Sequence, residues 1–170
     1  MLKILGVLLL VGSAGTLGVL AAAKLQRRVH TLRAVIGALE LAERELSFRL
    51  TPIPELFASL ERRAQPPASV CFGRCLGELD RLGEESLGAL WKGAVEETLV
   101  DLAPRDRETL SALGEVLGRY DGAGQREALS LARAELSRAL EGAEADRDSR
   151  GRMYTALGLT AGAFCAVLLL

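Results

Sequence analysis

Cys71 and Cys75 stand four residues apart, a spacing that puts both thiols on one face of a helix and could hold a soft metal. Two thiols are too few for a closed zinc site, and no histidine or further cysteine lies near them in the chain. They read instead as small side chains buried in a core. Glu84 with Glu85, and Glu96 with Glu97, are adjacent, so on a helix their carboxylates point about 100° apart and form no acid–base pair across a cleft. The single histidine, His30, has the side chain for a pH sensor but sits among the polar residues that follow Arg27 and Arg28. There is no phosphate-cradling glycine loop, no G-x-S-x-G and no H-E-x-x-H. Catalysis, a bound cofactor and a metal therefore find no support in the residues, and an interaction module is the reading that remains.

Composition narrows the partners. Of 170 residues, 49% are apolar and 25% charged, with 21 basic against 22 acidic side chains. A near-neutral balance argues against a nucleic-acid partner, which calls for a basic excess. Aromatics make up only 4%, too few for a carbohydrate cleft or a base-stacking platform. Three cysteines, Cys71, Cys75 and Cys165, give no even framework and suggest reduced thiols.

The charges are unevenly placed. Apart from Lys3, all of them fall within residues 24–152. Residues 4–23 carry none, and neither do residues 153–170. At about 1.5 Å per residue, these stretches would span roughly 30 Å and 27 Å as helices, matching a bilayer core. Ala21-Ala22-Ala23 resembles a signal-peptide cleavage site, but the apolar run is long for that role and basic residues follow at once. The expectation is a retained anchor at each end: a transmembrane helix over 1–23, a charged domain over 24–152 and a second transmembrane helix over 153–170. Lys24, Arg27 and Arg28 flank the first span, and Arg147, Arg150 and Arg152 the second, so both ends place the middle domain in the cytoplasm. Tyr154 suits the interface, and Cys165 falls within the second span as a packing residue. Ala14, Gly18 and Ala22, and the pair Gly158 and Gly162, recur at four-residue spacing, which lets helix backbones approach closely in lipid and admits a homo-oligomer.

The elements that carry these residues are helical. No stretch of the middle domain alternates with period two, and leucine, alanine, glutamate and arginine dominate. Leu25, Val29, Leu32, Ile36 and Leu39 stripe a first helix over about 25–49. Thr51 is expected to cap a second helix and Pro52 to sit in its first turn, with Ile53, Leu56, Phe57 and Leu60 buried. Pro66-Pro67 breaks the chain before a third helix over about 68–82, whose apolar set is Val70, Phe72, Leu76 and Leu79. A fourth over about 86–102 buries Leu87, Leu90, Trp91, Val95 and Leu99. Asp106 is the expected N-cap of a fifth, with Leu110, Leu113 and Leu117 inside. Residues 121–124 read as a turn, so a sixth helix starts at Gln125 and runs to about 148 through Leu129, Ala132, Leu136 and Leu140. The fold class is all-α: an antiparallel six-helix bundle, membrane-anchored at both termini.

Two local patterns carry a resemblance. Glu45 through Thr51-Pro52-Ile53-Pro54-Glu55 forms an E-x-x-x-x-x-T-P-x-P-E junction, and Leu117-Gly118 with Asp121 and Gln125 forms L-G-x-x-D-x-x-x-Q. With the two apolar ends, these resemble the stage III sporulation protein AB family of endospore-forming bacteria over essentially the whole chain. That family is similar to the cytoplasmic domains of F-type platform proteins of type II secretion and type IV pilus machines, which are six-helix bundles. The resemblance implies a non-enzymatic platform or adaptor subunit of the channel complex between mother cell and forespore, in the mother-cell membrane around the forespore. The implied partners are membrane lipid, the other stage III sporulation channel proteins and the cytoplasmic secretion-type ATPase, stage III sporulation protein AA. The alternative is a platform component of a secretion or pilus apparatus, for which the chain is short. The motif residues also have a fold-level reading: Thr51 and Pro52 shape a helix–helix corner, and Gly118 allows close helix approach.

Overall fold

Six α-helices follow one another, and the described residues contain no strand. They are α1 (Leu2–Phe48), α2 (Ile53–Arg63), α3 (Ala68–Gly77), α4 (Leu87–Thr98), α5 (Pro104–Leu117) and α6 (Gly122–Leu169), with a 3₁₀ turn at Leu79–Arg81. The computed structural model describes the backbone of residues 2–48, 51–117 and 122–169, and the side chains of 20–47, 51–117 and 123–150 with Met153 and Thr160. The chain divides into two units, residues 28–141 and the terminal pair 1–27 with 142–170.

The 28–141 unit is the bundle, and every helix contributes to its core. Leu39 of α1, Phe57 of α2, Phe72 of α3, Trp91 of α4, Leu113 of α5 and Leu129 of α6 surround one central void of about 10 Å³, no larger than a single water. Phe57, Phe72 and Trp91 stack there with ring centroids 5.1–5.6 Å apart. The α1 stripe runs through Val29, Leu32, Val35, Leu39, Ala42 and Leu46, all buried. The leucines expected on α4 and α5 are buried, as are Leu129, Ala132 and Leu136 of α6, while Leu140 is half-buried.

Several local expectations are corrected. Helix α3 stops at Gly77 instead of reaching residue 82, because the chain tightens into the 3₁₀ turn and then reverses at Gly83, whose φ of +115° suits a residue without a side chain. Its buried face is Ala68, Cys71, Phe72 and Cys75, so Val70 points outward at 55% exposure and Leu76 is half-buried. Helix α4 ends at Thr98, and Leu102 N–H turns back to the Leu99 carbonyl at 3.1 Å. Helix α5 begins at Pro104, with the first helical bond from Arg107 N–H to Ala103 O. Proline is well suited to that first position, since it has no N–H to leave unpaired, and this moves Asp106 from the cap into the first turn. Helix α6 begins at Gly122, three residues before Gln125, so Ala123 and Gly124 are its first turn and not a loop.

The N-cap of α2 is Pro52, not Thr51, and no side chain caps it. The reason lies in the donors: Pro52 and Pro54 have no N–H, so two of the four groups that normally need a capping partner do not exist. The Pro52 carbonyl accepts from Leu56 N–H at 2.9 Å, and Glu55 places a negative charge in the first turn.

In the terminal unit the helical backbones of α1 and α6 continue through residues 2–27 and 142–169. Among the described residues no helix is long and apolar enough to cross a membrane. Most side chains of 4–23 and 153–170, where the sequence places both spans, lie outside the described residues.

Candidate interaction surface

The α1–α2 junction is held by one carboxylate. Glu45 Oε1 accepts from Ser59 Oγ at 2.5 Å and from Arg63 Nη1 at 2.5 Å. Ser59 and Arg63 are four apart on α2, so both face α1 and meet the same oxygen. Thr51 is half-buried at this corner, while Pro52, Pro54 and Glu55 are exposed. The structure therefore separates the motif into a fastening residue, Glu45, and an exposed edge.

The second motif closes the α5–α6 connection. Gln125 Nε2 donates to the Leu117 carbonyl at 3.0 Å, satisfying one of the acceptors that the end of α5 leaves open. Leu117 itself is buried. Gly118 and Asp121 lie outside the described residues. Arg133 of α6 faces Glu43 at 3.3 Å and Glu40 at 3.6 Å on α1. The C-terminal part of α1 and the N-terminal part of α6 are thus side by side, and the two motifs, distant in sequence, start from neighbouring helix ends.

The basic flanks separate by environment. Lys24, Arg27 and Arg150 are exposed, and Arg147 is half-buried. Arg147 pairs with Asp148 at 2.8 Å and Arg150 with Asp146 at 3.3 Å. Arg28 belongs to the bundle and binds Asp106, whose side chain is only 6% exposed, at 3.0 Å. Counting arginines therefore overstates the charge available to a membrane surface. Ala22 is half-buried; Arg152 and the packing positions Ala14, Gly18, Gly158 and Gly162 have side chains outside the described residues.

Cys71 and Cys75 are buried, as their type suggested. Burial pushes the Cys71 thiol up to about 11 against the lowering effect of a hydrogen bond with Thr98, and pushes Cys75 up to about 12, aided by Cys71 and Glu78. At neutral pH both are protonated and poor nucleophiles. Glu96 and Glu97 are exposed. Glu97 accepts from Arg74 Nε at 2.8 Å, within a ladder that continues from Arg74 to Glu78, from Glu78 to Arg81 and from Arg81 to Glu85. Glu78 is held below the usual carboxylate range, first by its hydrogen bond from Arg81 and then by that from Arg74. These groups neutralise one another in solvent. They are mutually paired charges on the bundle surface.

Sequence reasoning missed Gly114 and Arg133, and the Arg28 partner of Asp106. Gly114 lets α5 meet α4: a methyl group built there would overlap Cβ, Cγ and Cδ1 of Trp91. The same indole donates from Nε1 to the Leu110 carbonyl at 2.6 Å, so it cannot step aside cheaply. Gly118, the expected point of close approach, is four positions further along the sequence and lies outside the described residues. Asp106 and Arg133 make long-range pairs, for which a single chain carries no signal.

Comparison with known proteins points one way. Residues 3–170 match the family model of stage III sporulation protein AB. Stage III sporulation protein AB of Bacillus subtilis (strain 168) is 26% identical over 172 residues, covering 100% of both chains. A solved structure of a stage III sporulation protein AB superposes with a TM-score of 0.63 at 24% identity, covering 72% of this chain and 98% of that one, and so shares the fold.

Proposed function

The chain belongs to the stage III sporulation protein AB family, and from that premise we propose that it is a non-enzymatic platform subunit of the channel complex between mother cell and forespore. In this reading the terminal segments anchor it in the mother-cell membrane around the forespore. The cytoplasmic bundle couples a secretion-type ATPase, stage III sporulation protein AA, to the membrane channel. The observation that carries the reading is the family match over 3–170, which takes in both apolar ends as well as the bundle. Leu20 and Met153, at 61% and 50% exposure, suit surroundings of lipid more than water. The exposed charge ladder and the exposed edge at Pro52, Pro54 and Glu55 supply surface for protein partners.

Deletion of the gene should block sporulation after engulfment begins, and the full-length chain should restore it. A deletion strain that sporulates normally would sink the proposal. For the coupling, the full-length protein in detergent is expected to retain stage III sporulation protein AA on a column, and failure with nucleotide present and absent removes that part. Topology has its own test: a membrane-impermeant thiol reagent outside the cell should reach Lys3→Cys and Leu170→Cys but not Glu97→Cys, and the reverse pattern overturns the orientation.

A further inference from the structure

The α4–α5 corner, residues 99–103, is held by a different kind of contact from the helix faces around it. Asp106 is the one buried carboxylate among the described residues. Its Oδ2 is a junction for three donors: Arg28 Nη2 at 3.0 Å, Arg28 Nε at 3.3 Å and the backbone N–H of Ala103 at 3.2 Å. The last is half of a capping box, in which a first-turn side chain reaches back to the residue before the helix. The first two join the corner to α1, 78 residues away. Backbone bonds tie the corner to its flanking helices, from Leu99 N–H to the Val95 carbonyl and from Arg107 N–H to the Ala103 carbonyl, and Leu102 N–H bonds to the Leu99 carbonyl within it. Leu99 and Leu102 are 2% and 3% exposed beneath it, whereas Val100 stands 65% exposed on top.

We propose that residues 99–103 form a strap closed by the Arg28–Asp106 pair, whose opening uncovers Leu99 and Leu102. Two physical features make it an openable element. The Arg28 side chain is 27% exposed, so water can take over its donors when the pair parts. And Asp106 parted from Arg28 would be a buried charge held only by the Ala103 N–H, so the first turn of α5 does not stay packed without Arg28; it moves out to water together with the strap it is bonded to. Such a contact switches between two arrangements, while the apolar core around Trp91 opens only with the whole bundle.

Hydrogen exchange on the full-length chain in detergent reads this directly. In Asp106→Asn, amides of 99–103 should exchange at least ten-fold faster than in the unaltered protein, with those of α2 and α3 unchanged. Arg28→Lys keeps the charge and loses the forked contact, and should give a smaller acceleration confined to the same residues. Exchange at 99–103 that is unchanged in both variants means the pair does not hold the corner, and overturns the proposal. Acceleration spread evenly over 28–141 also overturns it, because the pair then contributes only to global stability. If Asp106→Asn does not fold, Arg28→Lys decides by the same two criteria.

Discussion

The aromatic centre and the motif-bearing corners of this bundle are built on opposite principles. At the centre, Phe57, Phe72 and Trp91 fill the space between helices so closely that Gly114 has no room for a methyl group. At the corners, polar contacts do the holding, among them Glu45 to Ser59 and Arg63, and Gln125 to the Leu117 carbonyl. Dense packing costs most when its volume changes, whereas a half-exposed polar contact can be replaced by water. Stability should therefore reside in the centre, leaving the corners free to carry partners.

Substitutions can break that contrast, beginning with the largest expected loss. Trp91→Ala should cost about 3–5 kcal/mol, since it removes a buried aromatic ring and its hydrogen bond together. Gly114→Ala should cost about 1–3 kcal/mol by overpacking against a ring that is itself fixed. Urea unfolding of each variant in detergent measures both, and a change in midpoint below that of the corner variants would remove the distinction. A loss confined to alkaline pH follows from the buried thiols. Their folded-state values of about 11 and about 12 lie above the ordinary 9.0, so their contribution is full below pH 9.0 and fades as pH rises toward those values. The urea midpoint should fall less between pH 8 and pH 10.5 in Cys71→Ala/Cys75→Ala than in the unaltered protein, where those pH settings are roughly on either side of the ordinary thiol range. Gln125→Ala should cost about 1 kcal/mol, the usual worth of one hydrogen bond. Glu97→Gln, in the exposed ladder, should change stability by less than about 0.5 kcal/mol. If Glu97→Gln lowers the midpoint as far as Gly114→Ala does, the charge ladder is structural and not a docking face.

Much of the fold was legible in the sequence because leucine spacing reports a buried helix face directly. The apolar sets of α4 and α5 emerge from that rule, as do those of α1 and α2 apart from the half-buried Leu25, Ile36 and Ile53, whereas α3 does not. Its buried positions are Ala68, Cys71 and Cys75 around Phe72, small residues that carry little hydrophobic weight, while the exposed Val70 carries more. Helix starts went astray where proline was involved, at Pro52 and Pro104, because a missing N–H changes which residue needs a cap. The site was less legible. Glu45 and Gln125 could be picked out as pattern, but their partners Ser59, Arg63 and the Leu117 carbonyl could not, since nothing local says which face of α2 turns toward α1.

The sequence by itself determined the helical class, the number of helices in the bundle and the uncharged ends, which follow from local periodicity and charge spacing, while its two motifs carried the family resemblance. Only the tertiary structure decided that Arg28 serves the bundle, that Gly114 is where α4 and α5 touch and that α1 and α6 pair through Arg133. Those facts depend on how helices far apart in the chain are rotated against one another, and rotation is set by the packing of the whole core, not by any one segment.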